Sequence, residues 1–282
     1  MLAAITGATG HVGNNLIREL LAKYPDLQIR ALVMPKENTS AINDLKLERI
    51  EGNLLDQNSL LKTFQGADVV FHVAGAISLV PGDEPKIFKV NVEGTQNVIE
   101  ACRAAGVKRL IVTSSNDALR KPEPGEDVEK IIINPEGGSG SAYGKSKAQA
   151  SLAVLKAVET GLDAVIVCPT GVIGVHDYLP SLIGKSVLQW ARSTIHAYFK
   201  GAYDFVDVRD IAKGHILAWE KGKKGEVYLL SQGQMMPIAD VIRLVDEAMG
   251  RRALLIQIPL ILVRLAAFFL LCTPNGPELQ RA

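Results

Sequence analysis

Tyr143 and Lys147 stand four residues apart in the stretch Tyr143-Gly144-Lys145-Ser146-Lys147. On a helix that spacing puts both side chains on one face, roughly 5–6 Å apart at Cβ. A phenol, with its pKa of ~10, is a poor proton shuttle at neutral pH. A lysine charge at ~6 Å in an effective dielectric of ~20 favours the phenolate by roughly 2.8 kcal/mol, about two pKa units. Such a pair suits proton transfer at a carbonyl or alcohol centre. Upstream, Ser114 and Ser115 close the apolar run 110–113, where a hydroxyl can bind the oxygen of that centre. Taken alone, the Tyr/Lys spacing also describes an ordinary solvated helix face.

A second pattern supplies context. Ile5-Thr6-Gly7-Ala8-Thr9-Gly10-His11-Val12-Gly13 follows an apolar run that begins at Leu2 and precedes a helical periodicity through Val12, Leu16, Ile17, Leu20 and Leu21. Strand, glycine turn and helix in that order make a dinucleotide fingerprint. One glycine permits the tight turn, one lets backbone N–H groups approach a pyrophosphate, and one lets helix and strand pack closely. The helix N-terminus then offers N–H groups and partial positive charge to the phosphates. The less specific reading is a glycine-rich βα turn. Thr9, His11 and Val12 lie within the turn and are expected beside the cofactor, and neither His11 nor His72 is given a proton-transfer role. The second strand ends Ala31-Leu32-Val33-Met34-Pro35-Lys36, with no carboxylate at its tip to accept from a ribose 2′-OH. Lys36 suits a 2′-phosphate, which favours NADP, while Glu37 leaves NAD open.

These groups must be positioned by an alternation of strands and helices. Apolar, β-branched runs recur at Gln28–Val33, 68–73, 108–113 and 163–168, with helical patterns at 56–64, 84–105 and 141–160 between them. Continuous rather than alternating apolarity marks strands buried on both faces, hence an α/β fold with a Rossmann-like doubly wound parallel sheet. Beyond Pro169 the rhythm changes to helical patterns at 177–191, 208–219 and 237–249, with one strand candidate at 226–230. We therefore expect a dinucleotide-binding domain of residues 1–170 and 203–230. A smaller, mostly helical substrate lobe follows from 171–202 and 231–282, with ligand at the carboxyl ends of the strands between the lobes. The Pro- and Gly-rich segment 121–140 reads as an exposed active-site rim.

Composition fits an enzyme of small molecules. Lys+Arg (31) and Asp+Glu (30) nearly cancel, and no basic patch argues for nucleic acid. Three widely spaced cysteines, Cys102, Cys168 and Cys272, read as buried free thiols in a reducing, cytoplasmic compartment. The five histidines lack zinc-ligand spacing, so no metal is expected. The N-terminus begins as a strand without a basic leader, so no signal peptide is expected. The apolar run 253–272 is interrupted by Gln257, Pro259 and Arg264, which favours a buried helix over a bilayer span.

Further stretches carry a resemblance. Phe71-His72-Val73-Ala74-Gly75, Asn91-Val92-Glu93-Gly94-Thr95-Gln96-Asn97-Val98 and Val107-Lys108-Arg109 are followed by Pro169-Thr170-Gly171-Val172-Ile173-Gly174 and Phe205-Val206-Asp207-Val208-Arg209-Asp210. With the glycine turn and the Tyr/Lys pair, they make the chain similar to the extended short-chain dehydrogenase/reductase family, in its epimerase/dehydratase and dihydroflavonol-reductase-like branch. The resemblance spans nearly the whole chain. It implies that Gly7, Gly10 and Gly13 bind the pyrophosphate, and that Asn53 (where the family more often has Asp) and Leu54 border the adenine. It places Ala74 and Gly75 along the nicotinamide-side phosphate and ribose, with Pro169 and Val172 flanking the nicotinamide. Ser115 would bind the substrate carbonyl, Tyr143 would be the general acid/base, and Lys147 would hold the nicotinamide ribose. Asn91 and Ser114 complete the expected cofactor contacts, although the Asn91 amide could equally serve backbone groups. Arg209 and Asp210 are read as structural. The resemblance also implies a homodimer through helices 84–105 and 141–160, with Val98, Ala101, Ala148, Leu152 and Leu155 in a four-helix contact.

Two departures bear on function. Thr113-Ser114-Ser115-Asn116-Asp117 lacks the aromatic-glycine tail common in nucleotide-sugar epimerases, which favours ketone or aldehyde reductases. Relatives usually continue past Ala282, so part of the substrate pocket is expected beyond that residue. The leading expectation is an NAD(P)-dependent oxidoreductase of a small-molecule carbonyl or secondary alcohol. A nucleotide-sugar epimerase or dehydratase is the first alternative. A non-catalytic dinucleotide sensor, argued against by the Tyr/Lys pair, is the second.

Overall fold

The computed structural model describes residues 1–78, 80, 82–123, 126, 131–259 and 261. In chain order the elements are β1 (Leu2–Thr6), α1 (His11–Lys23), β2 (Gln28–Val33), β3 (Glu48–Glu51), α2 (Gln57–Phe64), β4 (Val69–His72), α3 (Glu84–Phe88), α4 (Gly94–Ala104), β5 (Arg109–Thr113) and α5 (Ala142–Glu159). They continue with β6 (Ala164–Pro169), β7 (Gly171–Ile173), α6 (Leu182–Arg192), β8 (Ile195–Tyr198), β9 (Ala202–Asp207), α7 (Val208–Lys221), β10 (Val227–Leu230), β11 (Met235–Pro237), α8 (Ile238–Ala248) and β12 (Leu254–Gln257).

Seven strands form one parallel sheet in the order β10-β6-β5-β4-β1-β2-β3. Successive residues of a strand point to opposite faces, and two cores result. Ile5, Phe71, Ile111 and Val165 join Leu16, Ile17 and Leu20 of α1 and Ala212 and Ile216 of α7 on one face. Ala4, Val70, Leu110 and Ile166 join Phe64 of α2, Val98 of α4 and Val154 of α5 on the other. Burial on both faces is why these strands read as unbroken apolar runs. The chain starts at β1, winds outward to β3 and returns at β4. The strand order therefore reverses between β1 and β4, where an open α/β sheet binds its ligand beyond the carboxyl ends.

The described chain divides into two compact units, Met1–Pro180 with Val206–Ser231, and Ser181–Phe205 with Gln232–Ala282. The doubly wound sheet lies in the first. In the second, α6 and α8 accompany short strand pairs: β8 with β12 in parallel, and β11 antiparallel to residues 202–204 of β9. His196 Nε2 lies 3.2 Å from Asp246 Oδ1, and Arg251 Nε donates to the same oxygen at 3.2 Å, so a buried ionic cluster ties β8 to α8.

Several elements differ from the sequence reading. The helix expected over 84–105 is interrupted by a π turn at Lys89–Glu93. Residues 254–257, expected within a buried helix, form strand β12 beside β8. The remainder of the run, 262–272 with Cys272, lies outside the described residues, as do residues 124, 125 and 127–130 of the rim. No helix among the described residues is long and apolar enough to cross a membrane. Cys102 and Cys168 are buried free thiols.

Candidate active site

The glycine turn is built by close approach. Gly7 has φ +74°, a conformation side chains disfavour, and a Cβ there would sit 2.6 Å from Ala74 N at the end of β4. A Cβ on Gly13 would lie 2.0 Å from Gly7 O, so α1 seats directly on the turn. Gly10 is different: it is exposed, and a Cβ there would meet only Gly7 O, at 3.4 Å. Gly10 caps α1 without a side-chain hydrogen bond, and the first turn of α1 holds no acidic residue. Uncapped N–H groups behind a bare glycine fit the pyrophosphate of a dinucleotide.

Around this turn a chain of buried hydrogen bonds fixes the neighbouring elements. Thr95 donates its hydroxyl to Asn91 C=O (2.6 Å), so its oxygen accepts from His72 Nε2 (3.0 Å). His72 Nδ1 then accepts from the Thr6 hydroxyl (2.8 Å), whose oxygen accepts from Ala74 N–H (3.3 Å). His72 is neutral, and burial pushes its pKa down to about 3. Asn91 lies inside the π turn. Its Oδ1 accepts from Ala76 N–H (2.7 Å), and its Nδ2 donates to Ala76 C=O and to Ser146 Oγ (both 2.9 Å). The amide therefore serves backbone groups, between the loop after β4 and α5.

Helix α5 begins at Ser141, whose hydroxyl accepts from Gly144 N–H and caps it. Lys147, one turn in, is buried and donates to Thr113 C=O at 2.8 Å. A Cβ on Gly75 would lie 2.9 Å from Lys147 Nζ, so β4, β5 and α5 converge on this ammonium. Burial lowers its pKa to about 8. Thr113 is held in turn by His215: Nδ1 donates to Ile211 C=O (2.8 Å), and Nε2 accepts the Thr113 hydroxyl (2.7 Å). Ser114 Oγ donates to Ser151 Oγ at 2.7 Å, because Ser151 spends its own proton on Lys147 C=O. The Ser114 hydroxyl thus joins the sheet to α5.

Ser115 and Tyr143 lie together at the end of β5. Ser115 Oγ accepts from Asp117 N–H at 3.2 Å, capping the one-turn helix Asn116–Ala118. The Tyr143 phenol is pushed up to about 12, first by burial, while the nearby Ser115 hydroxyl pulls the other way. This reverses the lowering expected from Lys147. Desolvation of the anion dominates, and Lys147 directs its ammonium to Thr113 C=O instead. The Cys168 thiol on β6 lies beside Ser114, Ser115 and Lys147, and burial raises it to about 12.

The structure brings Gly7, Ala74, Gly75, Asn91, Ser114, Ser115, Tyr143 and Lys147 around the ends of β1, β4 and β5. Pro169 is buried at the end of β6, and Val172 is half-buried in β7. Other expected contacts are engaged locally. His11 Nε2 donates to Val175 C=O at 3.0 Å, and Asn14 and Asn15 bind the carbonyls of His176 and Val175. Asn53 Oδ1 accepts from Leu55 N–H, while Leu54 is buried under Gly94. At the tip of β2, Glu37 accepts from Thr9 Oγ1 and Met34 N–H, and Lys36 is exposed with φ +62°. Sequence reasoning missed Thr95, His215 and Asp117; single polar residues at strand and turn ends carry no periodic signal.

The chain resembles known proteins over most of its length. The sequence pattern of the NAD dependent epimerase/dehydratase family matches residues 3–231. A protein named sterol demethylase protein B, of Methylococcus capsulatus, is 34% identical over 92% of this chain and 78% of its own length. A 4-hydroxy-2-methyl-3-oxo-4-farnesyl-3,4-dihydroquinoline-1-oxide ketoreductase of Stigmatella aurantiaca is 30% identical over 95% of this chain and 79% of its own. The crystal structure of gox2253 superposes with a TM-score of 0.81 at 32% identity, covering 95% of this chain and 83% of that one. With a family match over residues 3–231 and relatives at 30–34% identity over nearly its whole length, the chain belongs to the NAD dependent epimerase/dehydratase family, within the extended short-chain dehydrogenase/reductases, whose members are NAD(P)-dependent reductases and epimerases or dehydratases.

Proposed function

We propose that this chain interconverts a small-molecule ketone or aldehyde and the corresponding alcohol, with Ser115, Tyr143 and Lys147 as its catalytic residues. The observation that carries this reading is the end of β5, where the Tyr143 phenol lies beside the Ser115 hydroxyl and the buried Lys147 ammonium is fixed on Thr113 C=O. The dinucleotide, when bound, supplies or accepts the hydride. The Tyr143 hydroxyl delivers its proton to the carbonyl oxygen. A phenol held near 12 is protonated at neutral pH, the form that can donate. Ser115 Oγ–H donates to the same oxygen as it gains charge. Lys147 Nζ, facing Gly75, holds the nicotinamide ribose and compensates the phenolate left on Tyr143.

The unpaired N–H groups after Gly10 receive the pyrophosphate, with Thr9, His11, Val12, Asn53, Leu54, Ala74, Gly75, Asn91, Ser114, Pro169 and Val172 bordering the dinucleotide. NADP is the proposed cofactor, held through Lys36. Both Glu37 oxygens already accept hydrogen bonds, whereas Lys36 makes none among the described residues. Comparing dissociation constants for the two dinucleotides tests this, and tighter NAD binding overturns it. The second unit is proposed to recognise substrate, and the buried thiols favour a cytoplasmic setting. The homodimer is proposed on the half-buried Leu152 and Leu155 of α5 alone, since Val98, Ala101 and Ala148 belong to the chain's own core. A monomer in sedimentation at micromolar concentration would refute it. The decisive experiment for the function is a panel of ketones, aldehydes and nucleotide sugars with both reduced dinucleotides. Net dinucleotide oxidation by a carbonyl compound supports the reading; conversion of a nucleotide sugar without net oxidation replaces it with epimerisation or dehydration.

A further inference from the structure

Asp117 follows Ser115 by two residues, and its backbone is fully employed. Its N–H donates to Ser115 Oγ (3.2 Å), and its C=O accepts from Gly138 N–H (2.7 Å). The same carbonyl lies where a Cβ on Gly144 would come within 2.7 Å, so Asp117 is pressed against the first turn of α5, beside Tyr143. None of this uses the side chain; any residue could make these contacts. The half-buried carboxylate itself takes part in no hydrogen bond or ion pair among the described residues. A partly desolvated, unpaired carboxylate is costly, and such groups concentrate in sites where a ligand supplies the missing partner. Burial pushes its pKa up, and the charge of Lys121 opposes this. Its charge is also felt at the Tyr143 phenol, in the raising direction, as is that of Cys168. The groups acting on the phenol are therefore Ser115 and Asp117 from the strand-end turn and Cys168 from β6.

We propose that Asp117 is a specificity-determining residue, which selects carbonyl substrates bearing a hydroxyl or other hydrogen-bond donor next to the reacting carbon and rejects those bearing an anion there. The inference rests on the placement of the carbonyl between Ser115 and Tyr143 proposed above. A substrate oxygen held by Ser115 and Tyr143 brings its neighbouring substituent to the turn that carries Asp117. A donor satisfies the carboxylate, whereas a second carboxylate adds like-charge repulsion in a partly desolvated place.

The test uses three compounds matched in size: 2-hydroxyacetophenone, acetophenone and phenylglyoxylate. With the wild-type enzyme, kcat/KM is expected to be highest for the hydroxyketone and lowest for the oxo acid. Asp117→Asn should reduce the hydroxyketone-to-oxo-acid ratio by roughly 10–100-fold, the size of a lost hydrogen bond to a charged group. Asp117→Glu should retain most of it, a rescue that a purely structural role does not predict. An unchanged ratio in Asp117→Asn, or a wild-type preference for phenylglyoxylate, overturns the proposal. Should none of the wider panel be turned over, the oxidoreductase reading fails on its own. The dissociation constants of the same three probes with dinucleotide-loaded protein then decide Asp117, by the same ratio and the same two variants.

Discussion

Acidification should weaken this fold through two buried imidazoles. His72 and His215 are buried and neutral, with pKa values pushed down to about 3 and about 4 by desolvation. In the unfolded chain both return to ~6.5. Between these limits the unfolded state binds protons that the folded state cannot, so stability is complete above pH ~6.5 and falls as pH drops. From pH 7 to pH 5 each imidazole contributes a loss of about 1.9 kcal/mol, and the pair about 4 kcal/mol. That is a large fraction of the ~5–15 kcal/mol that holds a typical domain together. Below the folded values the curve flattens again. The assay is urea denaturation of the wild-type chain across pH 5–7, with imidazole resonances followed by NMR in the same buffers. His72 and His215 should stay neutral at pH 5 while the urea midpoint falls steeply. Stability that is flat over this range, or His72 and His215 resonances titrating near ~6.5 in the folded protein, would refute the buried neutral network.

Other expectations concern the site. Tyr143→Phe removes one hydroxyl and should lower turnover by roughly 10²–10⁴ with little change in dinucleotide affinity; full activity would end its role as proton donor. Lys147→Met should lose both turnover and dinucleotide affinity in the same preparations. Gly10→Ala should fold with nearly wild-type stability, since its Cβ meets only Gly7 O at 3.4 Å, yet bind dinucleotide more weakly. Gly13→Ala, with a Cβ 2.0 Å from Gly7 O, should cost about 1–3 kcal/mol of stability as well. Equal stability of the two variants in urea would contradict the turn geometry.

How far these features could be read from sequence depends on whether they are local. Strands buried on both faces leave unbroken apolar runs, so β1, β2, β4, β5 and β6 and the doubly wound order were legible. The glycine turn was legible because three glycines at fixed spacing meet a strand and a helix. β3, the sequence Glu48-Arg49-Ile50-Glu51, buries only Ile50, which is too little apolar signal to mark a strand. Residues 254–257 sit in a run whose length suited a helix, and only pairing with β8 decides for strand. The π turn inserts a residue that a 3.6-residue period cannot reveal. The Tyr/Lys spacing was visible, but the direction of the Tyr143 shift was not. It depends on how much water the fold removes from the phenol, and that depends on Ser115, Asp117 and Cys168, remote in sequence or silent in pattern.

The run from Ala74 N–H through Thr6, His72 and Thr95 to Asn91 C=O has a further consequence. Every proton in it is assigned, and all point the same way, from the turn after β4 towards the helix. One end is an amide that cannot give up its proton at neutral pH; the other is a carbonyl that cannot supply one. The chain is therefore a poled strut and an electrical insulator. It braces the dinucleotide turn against the π turn but conducts no proton between them. Because no proton passes along it, solvent isotope effects on turnover should be indifferent to changes at His72.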